Sequence, residues 1–123
     1  MERLHVFIST GRFGSFAEMR AFIDATYTED GDGIPSAFIR EVQLKRYEPM
    51  CIEAIHSVRA VPLSELLARA SYADQWLGQL RTDLTANAAI CVFPPNVVES
   101  PHASSLTYIG AFSFQVEQRA PHI

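Results

Sequence analysis

The hydrophobic pattern at the start of the chain predicts a strand followed by a helix. The segment LHVFIST (residues 4–10) alternates between two sets, which is the period of a strand with two unlike faces: Leu4, Val6 and Ile8 against His5, Phe7 and Ser9. Ser15 precedes a helical spacing of apolar residues, and Glu18 follows three positions later, as in a capping box. We therefore expect a strand that ends at Gly11 and a helix over about residues 15–26.

The middle of the chain predicts a second helix, a second strand and two short helices. Residues 34–36 (IPS) open a helical periodicity that we expect to end near residues 45–46, because cations suit the C-terminal dipole of a helix. The segment MCIEAIHS (residues 50–57) alternates as a strand. The next helix is predicted to start at Pro62, and Ser71 is predicted to cap the one after it.

Two strand patterns close the chain. AAICVF (residues 88–93) is a continuous apolar run stopped by two prolines, which is typical of a central buried strand. Residues 105–115 alternate again, and Gly110 indicates a bulge or a close approach of two backbones. The tail at residues 117–123 is expected to fray.

The resulting order, β-α-α-β-α-α-β-β, predicts an α+β or α/β fold with about four strands and about four helices. The last two strands are expected to form an antiparallel pair. With 123 residues and 48% hydrophobic content, the chain fits a single domain over residues 1–123. A chain of this size buries roughly two thirds of its unfolded surface, so it needs neither a metal nor a disulfide for stability.

Charge and targeting signals limit the classes of partner. The net charge is −4, from 14 acids and 10 bases, which argues against nucleic acid because phosphate binding requires an excess of bases. The first residues lack the pattern of a signal peptide, and no apolar run approaches the roughly 20 residues that span a bilayer. We expect a soluble, cytoplasmic protein with no membrane partner. The oligomeric state is left open.

The two cysteines lie in apolar runs. Cys51 and Cys91 are therefore expected to be buried structural residues rather than a disulfide or a nucleophile. A Cys/His dyad remains an alternative, although His56 lies on the opposite strand face from Cys51. No catalytic residue and no cofactor is assigned.

The acidic stretch YTEDGDGIPS (residues 27–36) has the appearance of a calcium loop. A loop that starts at Thr28 would place Ile39 at the twelfth position, where a glutamate ligand is required. A loop that starts at Asp30 would place Ile34 at the fifth position, where an oxygen ligand is required. Neither register is complete, so we assign no metal site.

The same stretch is a candidate surface for a partner protein. Residues 21–33 contain four acids and no base, with an aromatic residue among them. Such a surface steers and anchors a basic partner, whereas a solvated loop needs no partner, and the pattern alone leaves both open. The candidate residues are Asp24, Tyr27, Glu29, Asp30 and Asp32.

Two aromatic patterns are interpreted as core packing. Residues 11–14 (GRFG) lack the full glycine pattern of a phosphate loop, and we expect a turn in which Phe13 and Phe16 pack inward. Tyr72 and Trp76 are four residues apart, as in a helical pair that closes the core. An exposed binding anchor is the alternative for this pair.

Stretches from nearly the whole chain resemble one bacterial family, the twenty-second in the numbered series of immunity proteins from polymorphic toxin systems. This family was formerly a domain of unknown function. The stretches are HVFISTGRFGSFAEMRAFID, YTEDGDGIPSAFIREV, YEPMCIEAIH, PLSELLARASYADQWL, AAICVFPPN and LTYIGAFSF. The most specific residues in combination are Phe13, Phe16, Tyr27, Phe38, Glu53, Ser71, Tyr72, Gly110, Ala111 and Phe112.

The resemblance implies a small α+β antidote that binds a toxin domain in the cytoplasm and blocks it. It carries over no catalytic residue. Many such toxins are nucleases with positively charged clefts, which an acidic loop can occupy as a phosphate mimic. Tyr27 and Phe7 are the expected anchors within that interface. A small-ligand or regulatory module and a cysteine-dependent enzyme are the alternative functions.

Overall fold

The computed structural model describes residues 1–80 and 84–116 of the chain. Its strands are β1 (Glu2–Ser9), β2 (Thr26–Tyr27), β3 (Gly33–Ile34), β4 (Leu44–Lys45), β5 (Ile52–Pro62), β6 (Thr85–Val92), β7 (Val97–Val98) and β8 (Thr107–Phe114). Its α-helices are α1 (Phe16–Ile23), α2 (Ala37–Val42), α3 (Leu63–Leu66) and α4 (Ala73–Trp76). The tail predicted to fray, residues 117–123, lies outside the described residues.

The main sheet has four strands in the order β5-β6-β1-β8, and all neighbours are antiparallel. The predicted pairing of the last two strands is wrong, because β1 lies between β6 and β8. The physical reason is visible in β1, where Val6 faces one side of the sheet and Phe7 the other, and both are fully buried. A strand with two buried faces belongs in the interior of a sheet.

Helices cover both faces of this sheet, so the core consists of two apolar clusters. Helices α1 and α2 pack on one face, and α3 and α4 on the other. The first cluster includes Phe7, Met19, Ile23, Phe38, Val42 and Ile90. The second includes Leu4, Val6, Leu63, Leu66, Trp76, Cys91 and Phe112. The predicted α+β fold, with its four-stranded sheet and about four helices, is confirmed; its single-domain span stays a prediction.

Local capping sets the bounds of the first two helices. The Ser15 hydroxyl accepts a hydrogen bond from the Glu18 N–H (3.2 Å), and the Glu18 carboxylate accepts one from the Gly14 N–H (2.7 Å). The predicted cap of α1 is therefore present. Helix α2 ends at Val42 rather than near residues 45–46, because Gln43 takes a left-handed conformation (φ 52°).

Three local predictions are wrong. The second long strand begins at Ile52, because residues 49–51 form a 3-10 turn that leaves Met50 87% exposed. Ser71 does not cap α4, whose N-cap is Tyr72. Phe16 does not pack inward, since it is 51% exposed.

The predicted bulge at Gly110 is confirmed. Val6 pairs with Gly110, but the next residue of β1, Phe7, pairs with Tyr108, so Ile109 has no partner in the ladder. Gly110 has φ +134°, a conformation that side chains rarely adopt. Among the helices of the described ranges, none has the length and hydropathy required to cross a membrane.

Candidate functional site: an acidic hairpin and an aromatic cleft

The acidic stretch folds as a small β-hairpin between α1 and α2. Strands β2 and β3 pair Thr26 with Ile34 and Tyr27 with Gly33. Thr28 closes the turn, because its N–H donates to the Asp32 carbonyl (2.9 Å) and its hydroxyl accepts from the Asp32 N–H (3.1 Å). The segment is therefore an ordered projection held by its own backbone.

The tip of this hairpin carries three exposed carboxylates, those of Glu29, Asp30 and Asp32. Tyr27 lies beside them and is 66% exposed. Its ring lies over Gly33, where an added Cβ would be 3.7 Å from the ring. We call Tyr27, Glu29, Asp30 and Asp32 the acidic hairpin surface. It combines uncompensated negative charge with an exposed aromatic ring.

Asp24 differs from the other three acids, because its charge is paired. The Arg20 guanidinium donates to both carboxylate oxygens, through Nε at 3.0 Å and through a shorter contact from Nη2. Arg20 also donates to the carbonyl of Ile52 at 3.3 Å. Arg20 directly precedes residues 21–33, the segment that contains four acids and no base. It lies four residues before Asp24, about one helical turn, so the two side chains can pair.

Phe7 is a core residue and not an interface anchor. It is fully buried and contacts Phe38 edge to face, with ring centroids 5.2 Å apart. The ring of Tyr108 lies 5.0 Å away on another side. Because neighbouring rings enclose Phe7, we do not retain it in the candidate surface.

The structure shows where the candidate metal ligands and the two cysteines lie. Across residues 1–80 and 84–116, no group of three or more histidines, cysteines or acids is placed to hold a metal ion. Cys91 is fully buried, and burial, with a smaller contribution from the charge of Glu53, raises the pKa of its thiol. Cys51 is partly buried, and no histidine is among the residues that line its cleft.

This cleft was not predicted from the sequence. It has a volume of about 440 Å³ and lies where β1 and β5 begin and where β6 and β8 end. We call it the aromatic cleft. Its lining residues are Glu2, Met50, Cys51, Glu53, Ser71, Tyr72, Phe93, Pro94, Pro95, Phe114 and Val116.

One wall of the aromatic cleft is fixed by a contact between two distant parts of the chain. The Glu53 carboxylate accepts hydrogen bonds from the Ser71 N–H (2.9 Å) and from the Ser71 hydroxyl. The Trp76 indole N–H donates to the Ser71 carbonyl at 3.0 Å. Glu53, Ser71 and Tyr72 all belong to the residue pattern that carries the family resemblance. That pattern was the only sequence signal for this site.

Comparison with known proteins identifies the family. Residues 6–115 match the family model described as Immunity protein 22. No curated protein and no solved structure matches the chain. The matched range includes the whole acidic hairpin surface and most residues of the aromatic cleft.

Proposed function

Because the chain belongs to the immunity protein 22 family, we propose that it neutralises a cognate bacterial toxin domain by binding it in a stoichiometric complex. The observation that carries this proposal is the family match over residues 6–115. In this role the protein acts by association and performs no reaction of its own. It would protect the producing cell from a polymorphic toxin, in the cytoplasm.

The acidic hairpin surface supports a basic partner. Its three carboxylates lie outside any ion pair among the described residues, so their field is not cancelled locally. Clustered charge of one sign accelerates the association of an oppositely charged protein. Tyr27 offers a large exposed ring next to that charge, and buried tyrosines are frequent energetic anchors of interfaces.

A nuclease is the toxin class that fits this surface best. The substrate cleft of a nuclease is positively charged because it binds phosphates. A projecting hairpin with three carboxylates presents negative charge, as the phosphates of nucleic acid do. In this mode the hairpin would enter the substrate cleft and exclude nucleic acid from it.

Growth rescue combined with binding tests this function. The protein is co-expressed with the toxin domain encoded beside it, and binding is measured by calorimetry with a catalytically inactive toxin. We expect rescue of growth and nanomolar binding that weakens as salt is added, because salt screens exposed charges. Growth arrest despite co-expression, together with no detectable binding, would contradict the proposal.

A further inference from the structure

The aromatic cleft is a second candidate recognition site, separate from the acidic hairpin surface. We propose that it takes an arginine side chain of the toxin, with the guanidinium on Glu53 and the alkyl stem along the aromatic wall. This inference rests on the proposed function, since the arginine comes from the toxin. It adds a defined pocket to an interface otherwise described only by surface charge.

The walls of the cleft suit a long cationic side chain. The ring centroids of Tyr72 and Phe114 are 4.9 Å apart, and those of Phe93 and Phe114 are 5.4 Å apart. Phe93 and Phe114 are almost fully buried, so this wall is held in place by the core. Aromatic faces attract guanidinium groups, and the methylene stem of arginine packs against apolar surface.

The Glu53 carboxylate is oriented to bind a guanidinium group. Ser71 donates one hydrogen bond to each of its two carboxylate oxygens, which fixes the orientation of the carboxylate. Each oxygen can accept a second bond, so one acceptor site per oxygen remains. Two neighbouring acceptors match the fork of a guanidinium, and a fixed acceptor avoids the ordering cost of binding.

The cleft has negative charge without a matching base. Arg20–Asp24 is the one ion pair within residues 1–80 and 84–116, so neither Glu53 nor Glu2 is neutralised there. Glu2 is exposed and lines the cleft. A cation from outside would therefore meet two carboxylates.

The position of the cleft favours joint use with the acidic hairpin surface. Arg20, which holds Asp24 just before the hairpin, donates to the carbonyl of Ile52. The residues on either side of Ile52, Cys51 and Glu53, line the cleft. The residue that precedes the hairpin and the residues that line the cleft therefore both lie near the start of β5.

The test compares matched charge-removing variants by calorimetry with the inactive toxin. Glu53→Gln keeps the shape of the side chain and should weaken binding about tenfold to a hundredfold, as expected for the loss of a charged hydrogen-bonded contact. Glu2→Gln should also weaken binding, and the Glu2 side chain has no hydrogen bond among the described residues. Glu99→Gln, an exposed acid after β7, is the control and should bind like wild type. Thermal melts check that each variant folds.

A double-mutant cycle identifies the occupant. Each arginine on the toxin surface is changed to alanine and tested with wild type and with Glu53→Gln. For at least one arginine, the alanine change should weaken binding to Glu53→Gln far less than it weakens binding to wild type. The inference is overturned if wild type binds tightly while Glu53→Gln does not weaken binding, or if no arginine couples. It is also overturned if Glu53→Gln no longer weakens toxin binding when Arg119, a tail residue outside the described ranges, is changed to alanine, because the occupant would then be the chain's own arginine. If wild type neither rescues growth nor binds, the proposed function itself fails and this inference fails with it.

Discussion

The side-chain amide of Gln75 forms two hydrogen bonds with the backbone of Gln115, donating to its carbonyl at 2.9 Å and accepting from its N–H at 2.7 Å. Gln79 donates to the carbonyl of Ser113 at 3.4 Å. Ser113 belongs to the edge strand β8 and Gln115 directly follows that strand, so these amides occupy backbone groups that would otherwise be open to another strand. At the opposite edge, Arg69 donates to the carbonyl of His56 at 3.0 Å.

Removing the glutamines should open the β8 edge. We expect the double variant Gln75→Ala/Gln79→Ala to self-associate more than wild type, because an unpaired edge pairs readily with a second chain. Sedimentation velocity at equal concentrations measures this. Glu65→Ala, an exposed change on α3, is the control. Identical sedimentation of wild type and the double variant would show that the amides do not protect the edge.

The central strand should be the most sensitive part of the sheet. Ile90 is fully buried in β6 between β1 and β5, so Ile90→Ala should lower the free energy of unfolding by roughly 2–5 kcal/mol through a core cavity. Urea unfolding measures the change. Val58→Ala removes apolar volume at a residue that is 93% exposed, and should change stability by less than about 0.5 kcal/mol. A loss below about 1 kcal/mol for Ile90→Ala would be inconsistent with this packing.

Charge reversal on the hairpin should act on association. The variant Asp30→Lys/Asp32→Lys should slow binding of the inactive toxin about tenfold or more, since it replaces an attractive field with a repulsive one. Folding should be preserved, because Asp32 contributes only backbone groups to the turn. Stopped-flow or surface-based kinetics give the rate. Glu65→Lys, on α3 at the other face of the sheet, is the control, and equal rates for wild type and the double variant would place the interface elsewhere.

The two thiols should differ in reactivity. Burial raises the pKa of the Cys91 thiol, so thiolate is scarce there at neutral pH, whereas Cys51 lines an open cleft. Iodoacetamide should modify Cys51 in the native protein and Cys91 only in denaturant, as followed by mass spectrometry. In Cys51→Ser, native labelling should almost vanish. Rapid native labelling of Cys91 would contradict this and would return attention to a cysteine-dependent enzyme.

Acid should destabilise the fold partly through His5. Its Nδ1 lies 2.8 Å from the Tyr108 hydroxyl, and burial, followed by the charge of Arg3, lowers the pKa of His5. The unfolded chain, with the usual pKa of about 6.5, therefore binds a proton before the folded protein does. The stability contributed by neutral His5 is present above about pH 6.5 and is lost as the pH falls below it.

Replacement of His5 should reduce the loss of stability at acid pH. In His5→Gln, urea unfolding between about pH 7 and pH 5 should show a smaller loss of stability than in wild type. Val58→Ala, at an exposed position with no titratable group, is the control and should keep the wild-type slope. A His5→Gln slope as steep as that of wild type would assign the acid sensitivity to other groups.

The sequence by itself determined the features that depend on neighbours along the chain. The Ser15 cap of α1, the apolar run of β6 and the glycine bulge of β8 were predicted because each depends on a few adjacent residues. The four exposed residues of the acidic hairpin surface could also be identified, since charge next to glycine favours solvent. Of the six proposed partner-binding residues, these four remain in the candidate surface, and their role in binding stays a prediction.

Only the tertiary structure decided the features that depend on distant pairings. A strand pattern does not state its neighbours, so the position of β1 between β6 and β8 was missed, and with it the burial of Phe7 on the second face. Glu53 and Ser71 lie 18 residues apart and meet only when the segment between α3 and α4 folds against the start of β5. The sequence marks which residues are apolar or charged, but long-range strand pairing fixes which of them face each other, and the aromatic cleft is formed by that pairing.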